Sequence, residues 1–325
     1  MAKRKAIRSF DLFCGGGGSS CGARLAGATT VGGVDVSPLA AMTFEMNNPG
    51  AVVYNEDCRK LDPETIRKRV GGVDLLLASP ECTNHSPAKG NIPRCEQSRR
   101  TAFEVIRFAQ SLAPRWIVVE NVVQMENWPR FDTWLRQLQE IGYNTVVAKL
   151  NAANYGVAQT RVRLFVICDR QARPRLPVAH RRAGATARSI IQERDRDGVL
   201  WRLSPLASPG RAEATLKRAR NALREIGPKC PFIMVYYGSD GAGGWQSLDR
   251  PLRTITTLDR FALVLPNGRG HLMRMLQPPE LAVAMGFPRS YRWPEASRRN
   301  RIRLIGNAVC PPVMKRIVQG LLSQA

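Results

Sequence analysis

Short apolar runs alternate with helical stretches through the first half of the chain, the arrangement of a parallel sheet layered with helices. Ala6–Phe13, Thr30–Val36, Ala51–Tyr54 and Val73–Ala78 read as strands, and Ile117–Glu120, Thr145–Leu150 and Arg163–Cys168 supply three more. Seven strands exceed what a simple flavodoxin-like unit needs. A helix is expected from about Ser19 and another over Pro38–Asn47. Asp62-Pro63-Glu64 opens a third, with an acid at the N-cap and proline in the first turn. After Arg170 the texture changes, with several prolines and little strand alternation over 171–230. Helical patterning returns near Gln277: a helix over Pro278–Met285, a loop over Gly306–Pro312, then a closing helix over Val313–Leu322. The expected organisation is an α/β domain built from 1–170 and 269–325, interrupted by a smaller domain over 171–268. No internal repeat is visible.

Length and charge narrow the function classes. The chain has 325 residues, 44% of them hydrophobic and 23% charged, enough for a proper core and against wholesale disorder. Lys and Arg number 49 against 26 Asp and Glu, a net charge of +23. Such a field draws polyanions and gains affinity by counterion release, which makes nucleic acid the first partner to test. A GC-rich genome favouring Arg codons would also raise the charge. Within 171–230 the balance is 14 basic to 5 acidic residues. The eight cysteines include no C-x-x-C pair, so neither a disulfide framework nor a zinc ribbon is expected. Cys82 and His85 could be half a metal site, but only three histidines exist; no metal is expected. The basic start Met1–Lys5 is interrupted by Asp11 and Gly15–Gly18 before any apolar core of a signal peptide can form. No run approaches 18 apolar residues, so no membrane span is expected and a cytoplasmic location is.

Three features near the expected strand ends suggest a cofactor. Phe10-Asp11-Leu12-Phe13-Cys14-Gly15-Gly16-Gly17-Gly18 places glycines between a strand and a helix, where bare backbone can approach a ligand. A flexible turn without a ligand fits equally well. The dinucleotide fingerprint G-x-G-x-x-G fails, because Ser20 and Cys21 stand where its last glycine is needed. Asp35, 18 residues past Gly17, could accept both ribose hydroxyls, and Asp57 an adenine amino group. Each would serve as well as a turn or N-cap acid. An adenosine-bearing cofactor without a pyrophosphate is favoured.

Three further segments supply reactive groups. Cys82 follows the fourth strand and is a candidate nucleophile, since a thiolate attacks soft electrophilic carbons; alone it would more often be inert. Glu120-Asn121-Val122 ends the fifth strand, and Gln159-Thr160-Arg161-Val162-Arg163 opens the seventh. Taken singly, Glu120 could cap a helix and the arginines could form a solvated face.

In this order the segments resemble the DNA (cytosine-5)-methyltransferase family over nearly the whole chain. F-x-G-x-G is matched by Phe13, Gly15 and Gly17, the nucleophile loop by Pro80, Cys82 and Ser86, and E-N-V by Glu120, Asn121 and Val122. Q-x-R-x-R is matched by Gln159, Arg161 and Arg163, the late T-I-T by Thr254-Ile255-Thr256, and G-N-A-V-x-P by Gly306–Val309 and Pro311. The resemblance implies a Rossmann-like S-adenosylmethionine-dependent fold with a seven-stranded, mostly parallel sheet, and a target-recognition domain over 171–268. It implies catalytic roles for Cys82, Glu120, Arg161 and Arg163. Phe13, Gly15, Gly17, Asp35, Asp57, Cys58, Pro80 and Asn307 would line the S-adenosyl-L-methionine site. Ser86, Asn121, Gln159 and Thr256 would contact substrate. Double-stranded DNA would be the partner of a monomer, and the target cytosine would be flipped out of the stack.

Some residues depart from the family pattern. The usual P-P-C-Q-x-F-S is Pro80-Glu81-Cys82-Thr83-Asn84-His85-Ser86 here, and Asp35 replaces a longer Glu. A carboxylate beside the nucleophile raises its pKa unless Glu81 points away or pairs with a cation. Three other readings therefore stand beside the leading one: the same chemistry on tRNA, a catalytically silent DNA-binding module, and, more distantly, an oxidoreductase.

Overall fold

The computed structural model describes residues 6–81, 96–179, 184–195, 197–237, 243–268 and 270–324. All seven expected strands are present, each within two residues of its expected ends. In chain order the first domain contains β1 (Arg8–Leu12), α1 (Gly18–Leu25), β2 (Thr29–Val34), α2 (Pro38–Asn47), β3 (Val52–Tyr54), α3 (Pro63–Val70) and β4 (Leu75–Ala78). It continues with α4 (Glu96–Arg99), α5 (Ala102–Leu112), β5 (Trp116–Asn121), α6 (Phe131–Glu140), β6 (Asn144–Asn151) and β7 (Val162–Asp169). The sheet order is β3-β2-β1-β4-β5-β7-β6, with β7 antiparallel to both its neighbours and the other pairings parallel. Reversal of β7 has a functional consequence. Its first residues lie at the same edge as the carboxyl ends of β1, β2, β4 and β5.

Side-chain alternation assigns the two faces of this sheet. Leu75, Leu77, Trp116, Val118, Phe165 and Ile167 join one core, which also takes residues of α1 and of the last helix. Leu76, Ala78, Ile117, Val119, Leu164 and Val166 join the other, covered by α3, α5 and α6. Central strands buried on both faces read as continuous apolar runs, which is why Leu75–Ala78 and Trp116–Val119 were legible. The start of α3 also behaves as its residues dictate: Asp62 accepts from the N–H groups of Glu64 and Thr65, both at 3.1 Å.

Residues 171–230, where the sequence shows little strand alternation, include a two-residue strand β8 (Ser204–Pro205) and a 14-residue helix α7 (Glu213–Ile226). With β9 (Phe232–Val235), β10 (Trp245–Ser247), β11 (Phe261–Asn267) and β12 (Gly270–Met275) they form a second sheet, ordered β10-β9-β11-β12-β8. The boundary drawn at 268/269 falls inside the β11–β12 hairpin, and the second sheet extends to Met275. On one of its faces Phe232, Met234, Ala262 and Val264 pack under α7. On the other, Ile233, Val235, Phe261 and Leu263 belong to the core of the first domain. The two sheets thus share one hydrophobic interior.

The chain then returns through α8 (Pro278–Ala284), α9 (Arg298–Asn307) and α10 (Pro311–Leu322). The loop expected over Gly306–Pro312 is shorter, because α9 runs to Asn307 and α10 begins at Pro311. Prolines at the first helical positions lack an N–H that would have no partner there, so they start a helix rather than break one.

Candidate active site

The glycine-loop side of the candidate site is built from backbone. At the end of β1, Phe13, Gly15 and Gly17 take left-handed conformations with φ of 57°, 52° and 77°. Gly17 then serves as the N-cap of α1, a position its φ and its neighbours reserve for glycine. The Asp35 carboxylate accepts from Gly15 N–H and from Ser37 N–H, both at 2.8 Å, one on each oxygen. A second lone pair remains on each oxygen for a ligand hydroxyl. Burial raises the Asp35 pKa against those two hydrogen bonds. Space around Gly15 is open: among the described residues, no atom beyond its chain neighbours lies within 4 Å of the place a Cβ would occupy. Val36, which sequence reasoning passed over, is 71% exposed beside Asp35 and offers an apolar face there. Nothing in the sequence distinguishes it from the buried valines of the neighbouring strand.

Asp57 is placed at this edge, but its carboxylate is already engaged. It accepts from Arg59 Nε at 2.9 and 3.0 Å and from Arg59 N–H at 3.0 Å, and the guanidinium holds its pKa low. Cys58 is buried, and burial pushes its thiol up to about 12. Pro80 is buried and Asn307 is exposed at the end of α9.

The side around Glu120 is built from side chains. Glu120 and Arg163 project from adjacent antiparallel strands to the same face, because Glu120 pairs with Phe165 and Arg163 lies two residues away. The Glu120 carboxylate is 3.3 Å from Arg163 Nε. Burial raises its pKa, and the positive charges of Arg163 and Arg161 oppose that rise. Cys310, not expected near this site, is within electrostatic reach of the same cluster; burial pushes its thiol up to about 11 while Arg161 and Arg163 pull it down. Cys82 and Ser86 lie outside the described residues. The chain leading to them is fixed, since Asn121 Nδ2 donates to the Pro80 carbonyl at 3.0 Å. Glu81, beside the expected nucleophile, is exposed, where solvent screens its charge.

Three residues expected to touch substrate or to act in catalysis are turned inward. Arg161 is buried and donates to the carbonyls of Ile255 at 2.9 Å, Gly306 at 3.0 Å and Ala308 at 3.3 Å. Its guanidinium therefore joins the Q-x-R-x-R, T-I-T and G-N-A-V segments and is not presented to the cleft. Gln159 is fully buried, accepting from Ile255 N–H at 2.7 Å and donating to the Met285 sulfur at 2.8 Å. Asn121 is 2% exposed and holds Pro80 as described. All three bind main chain because a polar side chain buried at a junction must pair with whatever donors and acceptors the loops leave there. Thr256 stays partly exposed, and its carbonyl packs so tightly on Gly306 that any larger residue at 306 would clash with backbone.

No group of three His, Cys, Asp or Glu among the described residues could hold a metal ion, and no described helix is long and apolar enough to cross a membrane.

Comparison with known proteins bears on the whole arrangement. The family model for C-5 cytosine-specific DNA methylase matches residues 7–323. The Type II methyltransferase M.FnuDI of Fusobacterium nucleatum is 24% identical over 330 residues, spanning 93% of this chain and 90% of that protein. M.DdeI of Desulfomicrobium norvegicum is 32% identical over 170 residues, but the match covers half of this chain and only 41% of that protein. Among solved structures, Spodoptera frugiperda DNMT2 superposes with a TM-score of 0.71 at 19% identity, covering 98% of this chain and all of that one. Entamoeba histolytica methyltransferase EhMeth gives 0.71 at 14%, covering 99% of each. Those two share the fold. With the family model matching nearly the whole chain, the chain belongs to the C-5 cytosine-specific DNA methylase family, whose methyl donor is S-adenosyl-L-methionine.

Proposed function

We propose that the chain methylates C5 of a flipped-out cytosine in double-stranded DNA. The observation that carries this reading is the pair of buried Glu120 and half-buried Arg163 at 3.3 Å, beside the end of β4 from which the chain leads to Cys82. The donor site fits the glycine loop in three respects: open space at Gly15, two remaining lone pairs on Asp35, and the apolar Val36 beside it. Asp57 fits less directly, because contact with an adenine amino group requires Arg59, itself exposed, to swing aside. The donor supplies a methyl group carried on a sulfonium.

The chain's own residues do the rest. Cytosine C5 is a weak nucleophile until a group adds at C6. The Cys82 thiolate would form that bond, giving an enamine whose C5 could take the methyl group from the donor, which would leave as the thioether S-adenosylhomocysteine. Glu120, with its raised pKa, donates toward N3 and binds the N4 edge, stabilising the charge that develops in the ring. Arg163 holds the base carbonyl and orients Glu120. Loss of the C5 proton and elimination of Cys82 then release 5-methylcytosine. In this reading Arg161, Gln159 and Asn121 are positioning residues. The second sheet and its basic helix α7 serve target recognition, through phosphate and base contacts made by arginines.

Bisulfite sequencing of plasmid from cells expressing the chain tests activity and target together. Protected cytosines at one sequence motif are expected, absent in Cys82→Ala. Methyl transfer to tRNA and not to duplex DNA would replace the substrate. No transfer to either, with DNA binding intact, would leave a silent binding module.

A further inference from the structure

The strained cofactor loop is held from two sides, and only one of them faces the cleft. Phe13 takes a left-handed conformation that a non-glycine residue rarely adopts, so the 13–17 loop needs restraint to keep its shape. Asp35 restrains it from the cleft through Gly15 N–H. From behind, the Tyr291 hydroxyl donates to the Gly16 carbonyl at 2.7 Å, across 275 residues of chain. Tyr291 is 4% exposed, and burial holds its phenol well above its ordinary value, so it stays a neutral donor. A Cβ at residue 17 would overlap that hydroxyl, so only glycine admits the ring so close.

Tyr291 is itself well anchored. Its ring packs with Phe287 and Trp293 at centroid distances of 4.6 and 5.3 Å, and the Trp293 ring lies 3.4 Å from where a Gly16 Cβ would be. The next residue is pinned to α2: Asn47 donates to the Arg292 carbonyl at 2.7 Å and accepts from its N–H at 2.9 Å. A rigid wedge from the C-terminal part of the chain thus bears on the peptide between the two left-handed glycines.

We propose that Tyr291 is a positioning residue for the methyl donor, fixing the Gly16 peptide and hence the aim of the 13–17 backbone without touching the donor. The inference rests on the reading of this loop as the donor site.

Calorimetric titration of S-adenosylhomocysteine into the unliganded protein tests it, alongside duplex DNA binding and thermal melting. Tyr291→Phe keeps the ring and removes one hydrogen bond. It is expected to weaken S-adenosylhomocysteine about tenfold, with DNA affinity within about twofold and a small loss of Tm. In turnover, KM for the donor should rise by the same factor with kcat at saturation nearly unchanged. Asn47→Ala, which loosens the wedge one residue away, should act in the same direction and less strongly. Unchanged S-adenosylhomocysteine affinity in Tyr291→Phe overturns the proposal. So does parallel loss of both ligands, or failure of that variant to fold, since either marks general stability. A wild-type chain that does not bind S-adenosylhomocysteine would instead remove the donor-site reading.

Discussion

The two halves of the site recognise by opposite means. On the donor side, side chains from distant elements hold the backbone, and the backbone faces the open space: Asp35 and Tyr291 grip the glycine loop from either side. On the base side, two side chains face the cleft while their polar neighbours in the same motifs hold the backbone behind them. Glu120 and Arg163 pair there, and Asn121, Gln159 and Arg161 bind main chain. A flexible, extended donor is suited to many backbone contacts, whereas proton placement on a small ring needs a few groups of set charge. Within a motif, then, polar residues divide into those that meet a ligand and those that hold the ones that do.

The sharpest way to break this division is at the base side. Glu120→Gln should lower kcat about a thousandfold with S-adenosylhomocysteine affinity unchanged in titration; a tenfold or smaller effect would remove Glu120 from proton placement. Arg161→Ala should act through structure. It strands three buried carbonyls, so urea denaturation should show a loss of about 3 kcal/mol, with Arg161→Lys recovering part of it. A normally stable but inactive Arg161→Ala would return Arg161 to direct catalysis.

Asp11 tests the packing beneath the donor loop. It is fully buried, bonded by Ser20 Oγ at 2.7 Å, and burial lifts its pKa to about 7. Unfolded aspartate titrates near 3.9, so between about pH 4 and 7 the folded chain binds more protons and its stability falls as pH rises. Asp11→Asn removes that slope. Between pH 5 and 8 the wild-type Tm should drop by several degrees more than the variant's; parallel profiles would refute the assignment. Asp57→Ala should be the mildest change, weakening S-adenosylhomocysteine by less than about threefold, because its carboxylate is already tied to Arg59. A loss of a hundredfold would show that the pair opens for adenine.

The strands were legible because central strands buried on both faces need unbroken apolar runs, as in Leu75–Ala78. Helix α7 was not. Its buried positions are small, Thr215, Ala219 and Ala222, and arginines interrupt the stripe that packs on the second sheet. The motif residues were legible as a set, but their division was not. Arg161 and Arg163 are the same residue type two positions apart, one just before β7 and the other within it. What separates them is that carbonyls of 255, 306 and 308 converge on the first and a carboxylate on the second.

Local sequence thus determined the strand pattern, the glycine turn and the identities of the reactive groups, since each depends on residues within a few positions of one another. Tertiary structure decided which polar groups face the cleft. It also decided that β7 runs backwards to bring its arginines to the carboxyl edge, and that a tyrosine 275 residues away stands behind the glycine loop. Those outcomes depend on contacts between segments far apart in the chain, and short-range propensity contains no information about them.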